Sequence, residues 1–515
     1  MILGDILRWN AKRHPNKTAL VFDGRRYTFG QFLERVNRLS TGFLQMDLRK
    51  GDRVAIMAEN CHHHLEIFFA AAKVGLILVP INFRSMESEI LYVMNDAGPR
   101  TFILSRDYHD RIQPLTSQMK SIEKYICLEQ ELDSMLYYED MLAVSSRDEP
   151  FVPVPIEEND DVMICYTSGA TGNPKGVRLT HRNWISAGLN CACALSLTER
   201  DIALITVPLL HVAGIWPFMS HFYIGGSVVI LRGFDPIELL ITVEKESITT
   251  LNLVPTHLID LLDVVKTKQY NLSSLRKITY GAAPMPLEVL RQCTEAFGSI
   301  FMHIYGLTEA AGGLVSYYDI GGYLSKGDPK EIRRRSYSCG QEGINVESRI
   351  INNEGDDVQP GEIGEIIVRG DCVMKGYWNL PAETSRTLKD GWLYTGDLAT
   401  VDEDGYIFIT DRKGFKIISG GENIYPKEVE DIIYQHPAVK EVVVIGVPDK
   451  RWGEAVKAVI LLKEGAHATE DEIIQFSKER MAGYKRPKSV DFVSELPKSS
   501  VGKILKKEIK KWYWK

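Results

Sequence analysis

Two apolar runs, Asp52-Arg53-Val54-Ala55-Ile56-Met57 and Leu76-Ile77-Leu78-Val79-Pro80, flank one segment with helical spacing, His64 to Val74. A strand, a helix and a second strand at this interval predict parallel strands joined by a crossover helix, in a sheet covered on both faces. The pattern recurs. Thr28 to Met46 places Phe29, Phe32, Leu33, Val36 and Leu39 on one side of a helix. Val162 to Tyr166, Ala203 to Val207 and Ser227 to Leu231 read as further buried strands. The chain is therefore expected to be α/β.

Other classes fall away on simple counts. The 61 Lys and Arg against 68 Asp and Glu leave a net charge of only -7 over 515 residues, so nothing points to a nucleic-acid partner. The most apolar window, Leu65 to Ile81, contains Lys73 and is shorter than the roughly 20 residues of a spanning helix. The start, Met1-Ile2-Leu3-Gly4-Asp5, has an early acid and no long apolar run, unlike a signal peptide. Cys191 and Cys193 are the only close cysteine pair, a poor zinc pattern. These features predict a cytoplasmic protein without an integral membrane segment.

The texture changes near residue 340. Val346 to Ile350, Ile363 to Val368 and Tyr406 to Ile409 are short β runs among turn residues, expected to form a small antiparallel barrel or sheet. Thr410 and Asp411 are read as the end of the last strand, and Arg412-Lys413-Gly414-Phe415-Lys416 as a linker. Helix and strand patterns then alternate again: Lys427 to Tyr434, Glu441 to Ile445, Val456 to Leu462 and Glu470 to Arg480. The expected plan is a large region, 1–412, a hinge, and a small α/β domain, 413–515.

Tyr166-Thr167-Ser168-Gly169-Ala170-Thr171-Gly172-Asn173-Pro174-Lys175-Gly176 follows a predicted buried strand. Gly169, Gly172 and Gly176 allow backbone N–H groups to approach an anion, Thr167, Ser168 and Thr171 add hydroxyls, and Lys175 adds charge. Such a loop suits a polyphosphate. Pro174 stands where a Walker A loop has glycine, so this is a different phosphate loop.

The stretch resembles the signature loop of the adenylate-forming enzymes: acyl-CoA synthetases, luciferase-like ligases and peptide-synthetase adenylation domains. The resemblance spans nearly the whole chain, with motifs in family order. It implies a large amino-terminal region of stacked sheets with a small β-barrel, and a small mobile carboxy-terminal domain. It also implies activation of a carboxylic acid by ATP with Mg²⁺ to an acyl-adenylate, followed by transfer to a thiol. Thr167, Ser168, Gly169, Thr171, Gly172 and Lys175 then meet the ATP phosphates.

The same resemblance assigns the rest of the site. Gly281-Ala282-Ala283-Pro284 matches the adenine-pocket segment, although by composition alone core packing explains it equally well. In Tyr305-Gly306-Leu307-Thr308-Glu309, Tyr305 would stack on the purine, Thr308 would donate to the α-phosphate and Glu309 would hold Mg²⁺. Asp397 matches the ribose ligand and Arg412 the hinge arginine. Lys503, in Pro497-Lys498-Ser499-Ser500-Val501-Gly502-Lys503, matches the catalytic lysine, although composition alone reads it as one surface charge among many.

His211 matches the residue beside the carboxylate. The matching pocket walls are Val212, Gly214, Asn252, Gly281, Gly306, Ala311, Gly312 and Leu314, few of them bulky, so a medium- or long-chain fatty acid is expected. An aryl acid of benzoate or cinnamate type is the alternative. Asn252 either reads a polar substituent or caps local backbone. Gly421, Trp452, Arg84, Arg486 and Lys488 match positions around the arm and phosphates of CoA, which favours CoA over a carrier protein as acceptor. Gly414 stands where many relatives have Asp or Lys at the hinge pivot. Small-molecule acid, ATP and CoA are the expected partners, and a homodimer is compatible with such a chain.

Overall fold

The computed structural model describes residues 1–167, 173–281, 285, 287–319, 335, 337–412, 415–419, 422–499 and 502–514. Two large sheets carry most of the chain. The first has nine strands, in the order Gln341–Glu342, Ser316–Asp319, Phe301–Tyr305, Lys277–Tyr280, Thr250–Leu253, Ile202–Ile205, Ser227–Ile230, Thr18–Phe22 and Arg25–Thr28. Its central strands are parallel, and both ends are finished by antiparallel pairs. The second has eight strands: Gly376–Tyr377, Lys175–Thr180, Asp161–Thr167, Ile77–Pro80, Arg53–Met57, Thr101–Leu104, Lys124–Cys127 and Leu136–Tyr137. It is parallel from Asp161–Thr167 onward and antiparallel at the other edge.

Strand periodicity explains the layering. Successive side chains leave a strand on opposite faces. Leu20, Phe22, Ala203, Ile205, Val228 and Ile230 therefore join one core, while Val21, Leu204 and Val229 join another on the far face. Val54, Ile56 and Leu78 of the second sheet meet that same central core, while Ala55, Met57, Ile77 and Val79 face outward to a third. Helices Leu3–Arg13, Phe29–Gln45, His62–Val74, His181–Ala194 and Val212–Ile224 contribute to the central core, between the two sheets. Pro236–Glu246, Pro255–Val265 and Leu287–Phe297 cover the outer face of the first sheet, and Glu87–Ala97 that of the second.

Helix His62–Val74 is buried at every position, which accounts for the apolar window in the sequence. Each of its large apolar side chains contributes roughly 1.5–3 kcal/mol by leaving water. Lys73 is tolerated because its ammonium reaches Glu149 at 2.7 Å. Its stem lies against Gly4, where a Cβ would come within 2.7 Å of Lys73 Cγ. Gly75, at φ 75°, ends the helix in the left-handed region.

The third sheet is the small all-β unit: Val346–Ile351, Gly364–Gly370, Trp392–Val401 and Leu388–Lys389, with Ile407–Arg412 pairing on Trp392–Val401, all antiparallel. Here one expectation is corrected. Thr410 and Asp411 do not end the last strand; it continues to Arg412, because Asp411 and Arg412 pair with Leu398 and Asp397. Lys413 and Gly414 lie outside the described residues. The fourth sheet contains Ile417–Ser419, Glu422–Ile424 and a long ribbon, Val439–Asp449 against Gly453–Leu462, with Ser489–Phe492 parallel to the latter. Its cores contain only residues from Ile417 onward. Among the described residues no helix is long and apolar enough to cross a membrane.

Candidate active site

The parallel strands of the first sheet point one way, so the residues that follow them gather along one edge. In open α/β sheets this carboxyl edge is where ligands bind. Four such segments are Val207–His211, Val254, Gly281 and Tyr305–Glu309. Of the predicted site residues, His211, Gly281, Tyr305, Thr308 and Glu309 lie along this edge, and Asp397 is tied to it by a hydrogen bond.

Thr167 and Lys175 face each other as the last pair of an antiparallel hairpin. Ser168, Gly169, Thr171 and Gly172, which connect them, lie outside the described residues. Below the hairpin mouth, Tyr166 donates its phenol to Asp96 at 2.5 Å. Trp378 donates its backbone N–H to the carbonyl of Gly176 and its indole N–H to that of Asp96. Lys175 pairs with Glu383 and lies 5.1 Å from the centre of the Tyr377 ring. The Tyr377 hydroxyl donates to Glu309 Oε1 at 2.9 Å. Tyr377 thus links the expected phosphate lysine to the expected metal ligand. Burial and the Glu309 charge raise its pKa far above the ordinary phenol value, so it stays a donor.

Glu309 sits in a 3₁₀ turn, Thr308–Ala310, followed by Ala311 and Gly312 in the left-handed region at φ 54° and 64°. The turn is held by Met374, whose N–H donates to the Glu309 carbonyl at 2.8 Å. With Oε1 taken by Tyr377, Oε2 is the oxygen suited to Mg²⁺, a hard cation that prefers one or two carboxylates together with phosphate oxygens. The residues present fit that ion.

Tyr305 donates its hydroxyl to Asp397 Oδ2 at 2.7 Å, and burial beside that carboxylate raises its pKa well above the ordinary phenol value. Thr395 steadies Asp397: its Oγ1 accepts the Asp397 N–H at 3.0 Å while donating to the Ile366 carbonyl at 2.7 Å. Arg412 is in cross-strand register with Asp397. Gly281 ends its strand on the same edge; Ala282, Ala283 and Pro284 lie outside the described residues.

The segment carrying Lys503 is seated on the large region. A Cβ on Gly502 would lie 3.2 Å from Thr256 Oγ1 and 3.4 Å from Val254 Cγ2, next to the end of a central strand. Gly502 is at φ 76°, and the turn is closed by the Ser499 N–H to the Lys503 carbonyl at 2.7 Å. Lys498, in the same segment, pairs with Glu441 at 2.7 Å.

His211 caps the amino end of helix Val212–Ile224. Burial, and then the charge of Arg84, push its imidazole down to about 4, so it is neutral at pH 7. Its loop is gripped by Asn60, which accepts the Leu209 N–H at 2.7 Å and donates to the Val207 carbonyl at 3.1 Å. Asn60, Tyr377 and Glu383 carry no signal in a single sequence, since each depends on a neighbour far along the chain.

The wall residues have a reason to be small that is unrelated to a ligand. A Cβ on Gly214 would meet the Pro208 carbonyl oxygen at 2.4 Å, one on Gly281 the Ile304 oxygen at 2.4 Å, and one on Gly306 the Gly313 oxygen at 2.6 Å. Asn252 donates to the Ala213 carbonyl at 3.0 Å and accepts from Thr279 Oγ1 at 3.0 Å, the backbone-capping alternative. The glycines therefore carry no measure of substrate size.

Of the expected CoA residues, Trp452 is brought beside Ser419 by the pairing of Ser419 with Gly453, and is partly exposed. Gly421 lies outside the described residues. Lys488 is exposed on the same edge of strand Gly453–Leu462, its N–H donating to the Val456 carbonyl at 2.7 Å. Arg486 donates to the carbonyls of Met481 and Lys478, closing the end of helix Glu470–Lys478. Arg84 is exposed and lies with His211, on the other part of the molecule.

The sequence profile of the AMP-binding enzyme family matches residues 7–378, and that of the AMP-binding enzyme carboxy-terminal domain matches residues 428–503. The chain belongs to the AMP-binding enzyme family. It is 36% identical over 503 residues to a feruloyl-CoA synthase from Amycolatopsis sp, covering 97% of each chain. It is 35% identical to a long-chain-fatty-acid–CoA ligase of Bacillus subtilis strain 168, covering 98% of this chain and 94% of that one. The crystal structure of an anthranilate CoA ligase in complex with anthranoyl-AMP superposes with a TM-score of 0.91 at 27% identity, covering 100% of this chain and 97% of that one. Within the family the chain is an AMP-forming acyl-CoA synthetase, with the two-part α/β architecture expected from its sequence.

Proposed function

We propose that the chain joins a medium- or long-chain fatty acid to CoA in two steps, with its site residues in the roles given below. In the first step the acid attacks the α-phosphate of ATP. Lys175 and the hairpin mouth at Thr167 hold the outer phosphates, Tyr305 and Asp397 hold the nucleoside, and Thr308 donates to the α-phosphate. Mg²⁺, when bound at Glu309 Oε2, would offset charge on the phosphate oxygens. Lys503 stabilises the charge that develops between the carboxylate and the α-phosphate. His211, being neutral, orients the acid by hydrogen bonding; no base is needed, because a carboxylic acid is ionised at pH 7. In the second step CoA displaces AMP, with Trp452 and Gly421 flanking its arm, and Arg84, Arg486 and Lys488 near its phosphates. The hinge lies at 412–413, and the reaction takes place in the cytoplasm.

The observation that carries this reading is the chain of contacts Lys175–Tyr377–Glu309 beside Tyr305–Asp397. It draws residues more than 200 positions apart in sequence into one polar line on the carboxyl edge. The similarity to a feruloyl-CoA synthase supports a second reading in which the acid is aromatic. Incubation with ATP, Mg²⁺, CoA and a panel of acids should yield AMP and pyrophosphate. ADP as the only nucleotide product defeats the mechanism. Higher kcat/KM for ferulate or benzoate than for octanoate and palmitate moves the substrate to the aryl class.

A further inference from the structure

A second group of ligating side chains lies at the start of the buried helix His62–Val74, and the adenylation chemistry does not use it. His62, His63 and Glu139 each offer a donor atom, and these atoms lie within 4.8 Å of one another. The two imidazoles stand 3.9 Å apart, centre to centre. Nε2 of His62 is engaged by the Tyr27 hydroxyl at 3.2 Å. Nδ1 of His62 and Nδ1 of His63 are both buried with no hydrogen-bond partner. Nε2 of His63 is 3.8 Å from Glu139 Oε1, too far for a hydrogen bond.

Arg35 bridges two carboxylates, Glu66 at 2.5 Å and Glu139 at 2.6 Å, and Tyr138 donates to Glu66 at 2.8 Å. A proton on His63, beside Cys61, Glu139 and Glu66, is one way to meet these charges. A divalent ion is the other: it uses imidazole lone pairs, and Nδ1 of each ring is buried without a hydrogen-bond partner.

We infer that His62, His63 and Glu139 form a binding site for a divalent ion of the zinc class. Two imidazoles and one carboxylate suit Zn²⁺ or Co²⁺, with water as fourth ligand, and suit Mg²⁺ poorly. Bonds of about 2 Å would draw the donors to roughly 3.3 Å apart, a small closure. Outer contacts of the kind that orient metal ligands are in place: Tyr27 on His62 and Arg35 on Glu139. Entry is from the Glu139 side, whose side chain is 35% exposed. The ion would clamp the helix start to helix Tyr138–Val144, away from the ATP phosphates.

The test uses the full chain without a histidine tag and without ATP. Equilibrium dialysis against Co²⁺ should give one ion per chain with visible ligand-field absorption, displaced by Zn²⁺ and not by Mg²⁺. Zn²⁺ in excess should raise the melting temperature by a few degrees, as a ligand of the native state must. Glu139→Gln, on the solvent side, should keep the wild-type circular dichroism and lose both effects, as should His63→Ala. Absence of stoichiometric Co²⁺, equal uptake by Glu139→Gln and wild type, or displacement by Mg²⁺ would each overturn the assignment.

Discussion

The two ends of the candidate site, the one proposed for the nucleotide and the one proposed for the acid, are built in different ways. At the nucleotide end, side chains are tied to side chains: Tyr305 to Asp397, Tyr377 to Glu309, Lys175 to Glu383. At the acid end, space is set by backbone pressing on backbone, as at Gly214, Gly281 and Gly306. One partner of each tie (Lys175, Tyr305, Glu309) stands out by residue type within its motif, even where the other partner does not. Backbone contacts do not stand out, because a glycine that makes room for a carbonyl looks the same as one that makes room for a ligand.

The largest break in this comparison comes from Lys503→Ala. Pyrophosphate formation should fall by at least about a hundredfold, the scale of losing one preorganised charge contact. Thioester formation from synthetic acyl-adenylate and CoA should stay near the wild-type rate. Equal damage to both halves would show that Lys503 serves the fold and not the first step.

Gly214→Ala sharpens the other side. Its Cβ would press on the Pro208 carbonyl, so a stability loss of about 1–3 kcal/mol is expected from the denaturant midpoint. Preference among acids should change little. A variant of unchanged stability with a shifted chain-length profile would return Gly214 to the pocket wall. Tyr305→Phe should act more mildly, raising KM for ATP about tenfold, the effect of a hydrogen bond to a charged group worth ~1.5 kcal/mol. An unchanged KM for ATP would detach that tie from nucleotide binding.

The smallest effect concerns His211. Held to about 4 by burial, it should add no limb to the pH profile of adenylation between pH 5 and 8. On unfolding it regains an ordinary value near 6.5, so the unfolded chain binds the extra proton. Its contribution to stability is complete above pH 6.5 and is lost as pH falls from 6.5 toward 4. Melting temperatures of His211→Gln and wild type should converge over that interval. Parallel curves would deny the buried neutral ring.

The layered α/β plan was legible because strand and helix periodicities are local, as at Val54 to Val79. Lys175, Tyr305, Glu309 and Asp397 were singled out by residue type and motif, and the structure links them through Tyr377 and through the Tyr305–Asp397 hydrogen bond. Tyr377 and Glu383 themselves were not singled out. They follow from a two-residue strand, Gly376–Tyr377, that joins the edge of a sheet begun three hundred residues earlier. The continuation of strand Ile407–Arg412 was also hidden, because Thr410 and Asp411 are turn-formers by type; Leu398 holds them in the strand, pairing with Asp411 and accepting from Thr410 Oγ1.

The long ribbon of the fourth sheet works as a ruler. Glu441, near one end, anchors Lys498 and with it the turn of Lys503; the other end carries Trp452 beside Ser419. Eight residues of extended strand separate Glu441 from Asp449, about 27 Å at 3.4 Å per residue. A single crevice cannot receive both ends of a stiff bar of that length at once. On the proposed mechanism the turn of Lys503 and Trp452 would therefore act one after the other, with the length of the ribbon keeping one away while the other is engaged.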